Sequence, residues 1–211
     1  MLANYEKLDN GVIKQISYTK PEYNYAYSNK YNQYGEKVNY ISYLRLGTLI
    51  GNINRIPISI LDVGYGNGSF LNVCSQIIPL CYGYDISDYP LNEPITRVTS
   101  MTDSFYDVIT MFDSLEHMED INIIEQLKCN YIMISVPWCL YKSTEWFEKW
   151  HHRRPNEHLW HFDDKSLIKF FESYDYTYTH MSNVEDIVRQ NTNCKPVNIL
   201  TCIFRKNNIL T

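Results

Sequence analysis

The sequence predicts a doubly wound α/β domain, in which helices cover both faces of a mostly parallel sheet. Two observations support this prediction. Residues 58–70 form an almost continuous β-branched run that leads through three glycines into a helical pattern. Residues 80–85 then supply a second short strand that ends in an acidic residue. A buried strand, a glycine turn, a helix and another strand form the unit from which parallel sheets are built.

The composition limits the number of domains and the class of partner. With 211 residues and 45% hydrophobic content, the chain is long enough for one core and one domain. The net charge of -5 offers no basic face for a long nucleic acid, so a small substrate is favoured.

The six cysteines are scattered and the start of the chain is polar. No apolar run approaches the ~18 residues that a bilayer needs, so we predict a cytoplasmic protein without a membrane span.

The first 35 residues differ in composition from the rest. Residues 1–35 are polar, rich in tyrosine and poor in aliphatic side chains, so this arm is either loose or lies over the main domain. Tyr23, Tyr27 and Tyr31 recur every fourth residue and would share a face if the arm were helical, either to line a lid or only to pack. The apolar spacing of residues 36–50 predicts a helix that ends near Gly51 and begins a domain over residues 36–211.

The spacing of Gly64, Gly66 and Gly68 distinguishes between cofactors. A dinucleotide fingerprint has its third glycine three positions after the second, whereas the interval here is two positions. No Lys-Ser/Thr pair follows, which excludes a phosphate-binding loop of the nucleoside triphosphatase type. Glycines let the backbone turn sharply and lie against a ligand without a Cβ atom in the way.

With Asp62 two residues before the first glycine, this segment resembles motif I of the class I S-adenosylmethionine (SAM) dependent methyltransferases. The resemblance implies that SAM is the cofactor and that the glycine turn lies against its methionine part. It also implies a Rossmann-like sheet of seven strands with a reversed C-terminal strand. Asp85 lies 21 residues after Gly64, where an acidic side chain accepts hydrogen bonds from ribose hydroxyls. The alternative is that Asp85 caps the turn before Ser87.

The resemblance extends to residues 106–120, where a buried fourth strand leads into a turn that ends in Leu-Glu-His. This segment resembles motif IV of the same family, whose side chains lie at the carboxyl end of the sheet, where open α/β folds bind ligands. In the family, residues after the third strand surround the adenine and N-terminal helices cover the SAM pocket. The predicted SAM-binding residues are therefore Asp62, Gly64, Tyr65, Gly66, Asn67, Gly68, Asp85, Ile86, Ser100, Met101, Phe112, Asp113, Ser114, Tyr27 and Tyr31.

Three residues are candidates for acid-base chemistry. A neutral imidazole suits proton removal near pH 7, and His117 follows the fourth strand directly, beside Glu116. His158 is a reserve candidate, because residues 157–173 resemble a His-rich segment before a capped helix in related methyltransferases. The alternative is that His117 only orders its turn. The sequence spacing of His117, His158 and a carboxylate does not support a metal site.

The remaining segments predict the order of the later elements. Apolar residues predict a helix over residues 120–128 and a fifth strand over residues 131–136. A helix capped near Ser143 would carry residues 151–154 in its last turn, where their basic or titratable side chains would either receive an anion or only complement the helix dipole. Asp163 caps a further helix. Strands near residues 174–181 and 198–205 fit the reversed hairpin that ends the sheet of the resembled family.

These motifs favour transfer of the SAM methyl group to an oxygen or nitrogen atom of a small molecule. The chain resembles small-molecule methyltransferases that include ubiquinone-biosynthesis-like O-methyltransferases. The fourth strand is not followed by Asn/Asp-Pro-Pro-Tyr or Pro-Cys, so methylation of nucleic acid bases is disfavoured. Two other classes stay open: a SAM-binding or scaffold protein without turnover and, less favoured, a nicotinamide-dependent oxidoreductase. The sequence leaves the oligomeric state open.

Overall fold

The computed structural model describes residues 3–25, 29, 35–189 and 197–207. Within them, a seven-stranded sheet forms the centre and a three-stranded sheet includes the N-terminal residues. Two 3-10 helices cover Leu115–His117 and Ile121–Gln126. The other elements are β1 (Tyr5–Lys7), β2 (Ile13–Gln15), α1 (Glu36–Ile53), β3 (Ser59–Val63), α2 (Ser69–Cys74), β4 (Leu80–Tyr84), β5 (Thr96–Arg97), β6 (Phe105–Phe112), β7 (Lys128–Pro137), α3 (Thr144–Lys149), β8 (Trp160–His161), α4 (Asp164–Glu172), β9 (Tyr176–Ser182), α5 (Asp186–Arg189) and β10 (Ile199–Lys206).

The strand order of the central sheet is β5-β4-β3-β6-β7-β10-β9. Each adjacent pair from β5 to β7 is parallel, whereas β10 is antiparallel to both β7 and β9. The predicted seven-stranded, mostly parallel sheet with a reversed C-terminal strand is confirmed. The chain order reverses at β3, because β4 lies on one side of it and β6 on the other. Ligands of open α/β sheets bind at such a switch point.

The core lies on both faces of β3, as its continuous apolar sequence predicts. Ile60 packs in the cluster formed with α1 and α2, whereas Leu61 and Val63 pack in the cluster that includes α4. The predicted cap of α4 is confirmed. Asp163 accepts a hydrogen bond from the backbone N–H of Ser166 at 2.7 Å, and the Ser166 hydroxyl accepts one from the N–H of Asp163 at 2.9 Å.

Helix α1 continues through the predicted end at Gly51. Gly47 and Gly51 both lie within the helix, and Asn54 ends it in a left-handed conformation with φ 58. Asparagine adopts this conformation more readily than most residues, so it replaces glycine as the stop signal. Neither α1 nor any other described helix is long and apolar enough to cross a membrane.

The prediction of a helix over residues 120–128 is wrong in type. The segment Ile121–Gln126 is a 3-10 helix. Ile121, Ile124 and Leu127 are buried and lie three residues apart. This interval matches the three residues per turn of a 3-10 helix, so one face of the short segment covers the core.

The prediction that residues 151–154 complete the last turn of a helix is also wrong. Helix α3 ends at Lys149, and Trp150 is extended with φ -70 and ψ 124. Arg154 has φ 32 and precedes Pro155, and a residue before proline is disfavoured in the α-helical region. The basic residues therefore lie beyond the helix and do not complement its dipole.

The tyrosine-rich arm contains a hairpin that its composition did not predict. Strands β1 and β2 pair antiparallel, and β2 also pairs with β8. Val12 and Ile13 are buried, so a few aliphatic side chains anchor the hairpin on the main domain. The predicted SAM-binding residues Tyr27 and Tyr31 lie outside the described residues.

Candidate active site

The carboxyl ends of β3, β4 and β6 meet around the glycine turn. Gly64, Gly66 and Gly68 have φ of 78, 57 and 74, a region in which side chains are strained. The Gly64 N–H donates to the carbonyl of Tyr84 at the end of β4, at 2.7 Å. A Cβ atom on Gly64 would lie 2.6 Å from the Cβ of Ser114, which follows β6. Glycine is therefore required for the close approach of the two turns.

Asp85 bonds to the glycine turn from the end of β4. Its Oδ2 accepts the Gly66 N–H at 2.9 Å, and its Oδ1 accepts the Ser87 N–H at 2.7 Å. The hydrogen bond from Ser87 is the turn cap that the sequence analysis gives as the alternative to ribose binding. The hydrogen bond from Gly66 holds the Asp85 carboxylate beside the glycine turn. The half-buried carboxylate has further lone pairs for a ligand. Beside it, Ile86 is 63% exposed and offers an apolar surface.

The other side chains of the turn support its backbone. Tyr65 is buried, and its hydroxyl donates to the carbonyl of Tyr89 at 2.6 Å. Asn67 Oδ1 accepts hydrogen bonds from the backbone N–H and the hydroxyl of Ser69, at 3.2 and 2.8 Å. The Tyr65 side chain thus packs within the core, which leaves its backbone to line the turn.

Asp62 is buried in β3, two residues before the turn. Its Oδ1 accepts a hydrogen bond from the Thr110 hydroxyl at 2.7 Å. Burial raises the pKa of Asp62 to about 6. The carboxyl group therefore exchanges its proton nearer to neutral pH than an exposed aspartate does.

Ser100 and Met101 follow β5, the edge strand beside β4. The Ser100 hydroxyl accepts the Thr102 N–H at 3.2 Å, and Met101 is half-buried against the core. Because β4 and β5 are parallel, both residues lie at the same end of the sheet as Asp85.

The turn after β6 is held against β3. The Ser114 hydroxyl donates to the carbonyl of Val63 at 2.8 Å. Asp113 has φ 50, so a residue with a strained backbone lies between the end of β6 and Ser114. The ring of Phe112 faces the guanidinium of Arg45, 4.0 Å from the ring centroid. These contacts fix the predicted SAM-binding segment from β6 beside the glycine turn.

Two arginines that the sequence analysis missed bind Asp113. Arg45 Nη2 donates to Asp113 Oδ2 at 3.3 Å, and Arg189 Nη2 donates to the same oxygen. Burial alone would raise the pKa of Asp113, but the charges of Arg189 and Arg45 outweigh it and lower the pKa to about 2. Both arginines also bind Glu185, which is 140 residues from Arg45. No local sequence pattern marks partners at such a separation.

The structure brings the three predicted catalytic residues together. The rings of His117 and His158 lie edge to face with centroids 4.7 Å apart. The Leu159 N–H donates to the carbonyl of Glu116 at 2.7 Å, which ties the two segments to each other. Nδ1 of His117 lies 3.0 Å from the Tyr23 hydroxyl. The N-terminal arm therefore contacts this site through Tyr23, the first of the three tyrosines that recur every fourth residue.

Burial controls the charge of this group. It lowers the pKa of His117, and burial together with the charge of His117 lowers the pKa of His158 to about 3. Burial and the nearby charge of Asp113 raise the pKa of Glu116 well above its usual range. Both imidazoles are thus neutral at pH 7, the form that can accept a proton or bind a cation.

A family model described as a methyltransferase domain matches residues 33–181. The chain belongs to the methyltransferase domain family. The predictions of a class I methyltransferase fold and of a SAM-dependent enzyme agree with this family and with the strand order. Both predictions are confirmed.

Three solved structures, two of them of methyltransferases, share the fold of this methyltransferase domain. The plantazolicin methyltransferase BpumL, in complex with SAH and a substrate analogue, has a TM-score of 0.55 and 16% identity over 86% of this chain and 90% of that chain. Magnesium protoporphyrin IX methyltransferase from Synechocystis PCC 6803, with bound SAH, has a TM-score of 0.56 and 14% identity over 90% and 91% of the two chains. The YcgJ protein from Bacillus subtilis has a TM-score of 0.58 and 14% identity over 78% and 99%. A search of curated proteins gives no significant match.

The residues around the turn of the methyltransferase domain fit SAM. The turn carries no side chain at Gly66, so a ligand can lie directly against its backbone. Asp85 offers hydrogen-bond acceptors for hydroxyl groups, and the exposed Ile86 beside it offers an apolar surface for a base. Arg45 and Asp113 place charges of both signs at the adjacent turn.

Proposed function

We propose that this methyltransferase domain transfers the methyl group of SAM to an oxygen or nitrogen atom of a small-molecule acceptor. The observation that carries the proposal is the convergence of Gly66, Asp85 and Ser114 at the switch point of the sheet. The sulfonium of SAM is already a good methyl donor. The protein therefore has to align acceptor and methyl group and exclude water, which a fixed crevice achieves.

In this proposal each part of the site contacts one part of SAM. Asp85 accepts hydrogen bonds from the ribose, and the backbone of the glycine turn lies against the methionine part. Arg45 and Asp113 match the charges of the methionine carboxylate and ammonium groups. The adenine lies near Ile86, which follows β4, near Ser100 and Met101, which follow β5, and near Phe112, the last residue of β6.

Two observations support a small-molecule acceptor. The names of two related structures give plantazolicin and magnesium protoporphyrin IX as the substrates of those enzymes. The net charge of -5 does not favour a long contact with nucleic acid. The acceptor lies beside Glu116, His117 and His158, and the neutral His117 takes the proton of an acceptor hydroxyl.

We also propose that the tyrosine-rich arm closes over this site. Tyr23 reaches His117, and the ring of Tyr25 stacks on Tyr89 with centroids 5.1 Å apart. Both contacts join the arm to loops at the crevice. Hydrogen exchange of residues 18–25 should slow when SAM is added, and equal exchange with and without SAM would refute this role.

An acceptor screen tests the function. Purified protein is incubated with methyl-labelled SAM and a small-molecule library, and mass spectrometry should detect a product that gains one methyl group. Binding of SAH without any product would favour a SAM-binding scaffold protein. Binding of a nicotinamide dinucleotide instead of SAH would favour an oxidoreductase.

We further propose a cytoplasmic location. Cys74, Cys81, Cys129, Cys139 and Cys202 are buried free thiols in the described residues. Reduced thiols persist in the cytosol, whereas oxidising compartments favour disulfides. Fractionation that finds the protein in an oxidising compartment would contradict this location.

A further inference from the structure

The carboxylate of Glu116 is buried without a partner. Glu116 is 1% exposed, and neither Oε1 nor Oε2 accepts a hydrogen bond from the described residues. Buried carboxyl groups normally have donors around them, because removal from water without compensation is costly. Nothing in the described residues satisfies these oxygens, so they point to a ligand.

One ring nitrogen of His158 forms a hydrogen bond, and the other is unprotonated and available to a ligand. Its Nδ1 lies 2.7 Å from the carbonyl oxygen of His152. A carbonyl oxygen only accepts, so Nδ1 carries the proton and Nε2 of the neutral ring has a free lone pair. A backbone carbonyl that holds one ring nitrogen in this way is the usual orienting partner of a metal-binding histidine.

His117 completes a group of three. Glu116, His117 and His158 each place one ligand atom within 4.8 Å of the others. The ring of His117 has the Tyr23 hydroxyl 3.0 Å from its Nδ1 and a hydrogen bond with the backbone of Glu157, so a shared cation would replace one of these two contacts. The group forms only in the folded chain, because His158 lies 41 residues after His117. Its sequence spacing therefore gives no metal signature.

We propose that Glu116, His117 and His158 bind a divalent transition-metal cation of the zinc type. Two imidazole nitrogens and one carboxylate are the protein ligands of several catalytic zinc sites, in which a further position holds water or substrate. Burial favours the protonated form of Glu116, so the cation would displace this proton and stabilise the ionised carboxylate. Mg²⁺ prefers oxygen ligands and is a poor match for two imidazoles.

The role of the cation rests on the proposed function, whereas its binding does not. An acceptor hydroxyl at the open position would have a lowered pKa and would lose its proton to water. The oxygen then forms a bond to the methyl carbon as the carbon–sulfur bond of SAM breaks, which leaves SAH. In the metal-loaded protein His117 is a ligand, so the cation replaces it as the group that makes the hydroxyl nucleophilic.

Titration of the metal-depleted full chain tests the site. Zn²⁺ should bind with a stoichiometry of one in calorimetry, and Mg²⁺ should give no comparable binding. Co²⁺ should give visible absorption bands of a site with nitrogen and oxygen ligands. Glu116→Gln and His158→Gln should each weaken Zn²⁺ binding at least ~100-fold, because each removes a ligand. His180→Gln is the matched control, since its imidazole lies on β9, and should leave binding unchanged.

Three results would overturn the metal site: no Zn²⁺ binding, no Co²⁺ bands, or affinity unchanged in both ligand variants. The Co²⁺ spectrum of the unmodified chain decides the matter if a variant fails to fold, and SAH binding reports the fold of each variant. Zn²⁺ binding without SAH binding would refute the proposed function and leave the site intact. SAH binding with chelator-resistant turnover and no Zn²⁺ binding would refute the metal site and support the proposed function.

Discussion

The guanidinium of Arg45 forms two hydrogen bonds to the carboxylate of Glu185, from Nε to Oε1 at 2.7 Å and from Nη2 to Oε2 at 2.9 Å. Glu185 is fully buried, and the Arg45 side chain is 12% exposed. Burial alone would raise the pKa of Glu185, but the charges of Arg45 and Arg189 lower it. This ion pair joins α1 to the segment before α5, beside the turn that carries Asp113.

Glu185→Gln should destabilise the fold by about 3 kcal/mol, because it leaves two partly buried arginines with one carboxylate. Urea unfolding measures the change. Glu145→Gln is the matched control, since Glu145 and Lys149 form an exposed pair within α3. The control should change stability by less than about 1 kcal/mol. Equal effects of the two substitutions would show that the buried cluster does not hold α1 in place.

Asp85→Ala should weaken SAH binding at least tenfold. The change removes charge-assisted hydrogen bonds to the ribose, each worth roughly 1.5 to 3 kcal/mol, and also the bond to Gly66. Calorimetry with SAH measures the loss. Asp88→Ala removes an exposed carboxylate three residues away and should leave affinity unchanged. Unchanged affinity in the Asp85 variant would contradict the assignment of the ribose site.

Two glycine substitutions should have opposite effects on stability. Gly64→Ala adds a Cβ atom at φ 78, 2.6 Å from the Cβ of Ser114, and should cost about 1 to 3 kcal/mol. Gly47→Ala adds its Cβ atom within α1 with nothing within 4 Å, and should stabilise the fold by about 0.5 to 1 kcal/mol. Thermal unfolding compares the two variants. A neutral result at Gly64 would mean that the turn can shift away from Ser114.

The sequence predicts the parts of this fold that depend on neighbouring residues. The glycine turn, Asp85 and the cap at Asp163 follow from local spacing, and the strand order followed from the family that these motifs resemble. The 3-10 helix was missed because a three-residue apolar interval also fits an α-helix. The partners of Asp113 could not be predicted, because Arg45 and Arg189 reach it through tertiary packing. The same holds for the contact between Tyr23 and His117.

Acid should weaken the fold through Asp107. Burial alone would raise the pKa of Asp107, but hydrogen bonds from Arg55, Asn130 and the Ile58 backbone outweigh it and lower the pKa to about 2. A lowered folded-state pKa stabilises the protein above the unfolded value near 4, and this contribution of about 2 kcal/mol is lost as the pH falls from about 4 to about 2.

Asp107→Asn should therefore be less stable than the unmodified chain near pH 7 and should lose less stability on acidification. Urea unfolding at several pH values between about 2.5 and 7 measures both curves. Asp88→Asn, at an exposed position, should follow the unmodified chain. Parallel curves for the Asp107 variant and the unmodified chain would show that Asp107 does not account for the acid sensitivity.

His117→Ala should reduce turnover of a hydroxyl acceptor by ~100-fold or more, whether the imidazole acts as the base or as a cation ligand. SAH affinity should stay within a few-fold, since His117 lies beyond the segment from Phe112 to Ser114 that is assigned to SAM. Two measurements separate the roles of base and cation ligand.

If the imidazole acts as the base, turnover of chelator-treated protein should fall on acidification as the imidazole becomes protonated. If it acts as a cation ligand, added Zn²⁺ should raise the turnover of the unmodified chain and not that of His117→Ala. His180→Gln should match the unmodified chain in both conditions. If His117→Ala retains turnover and loses only thermal stability, the imidazole orders its turn and has no part in the reaction.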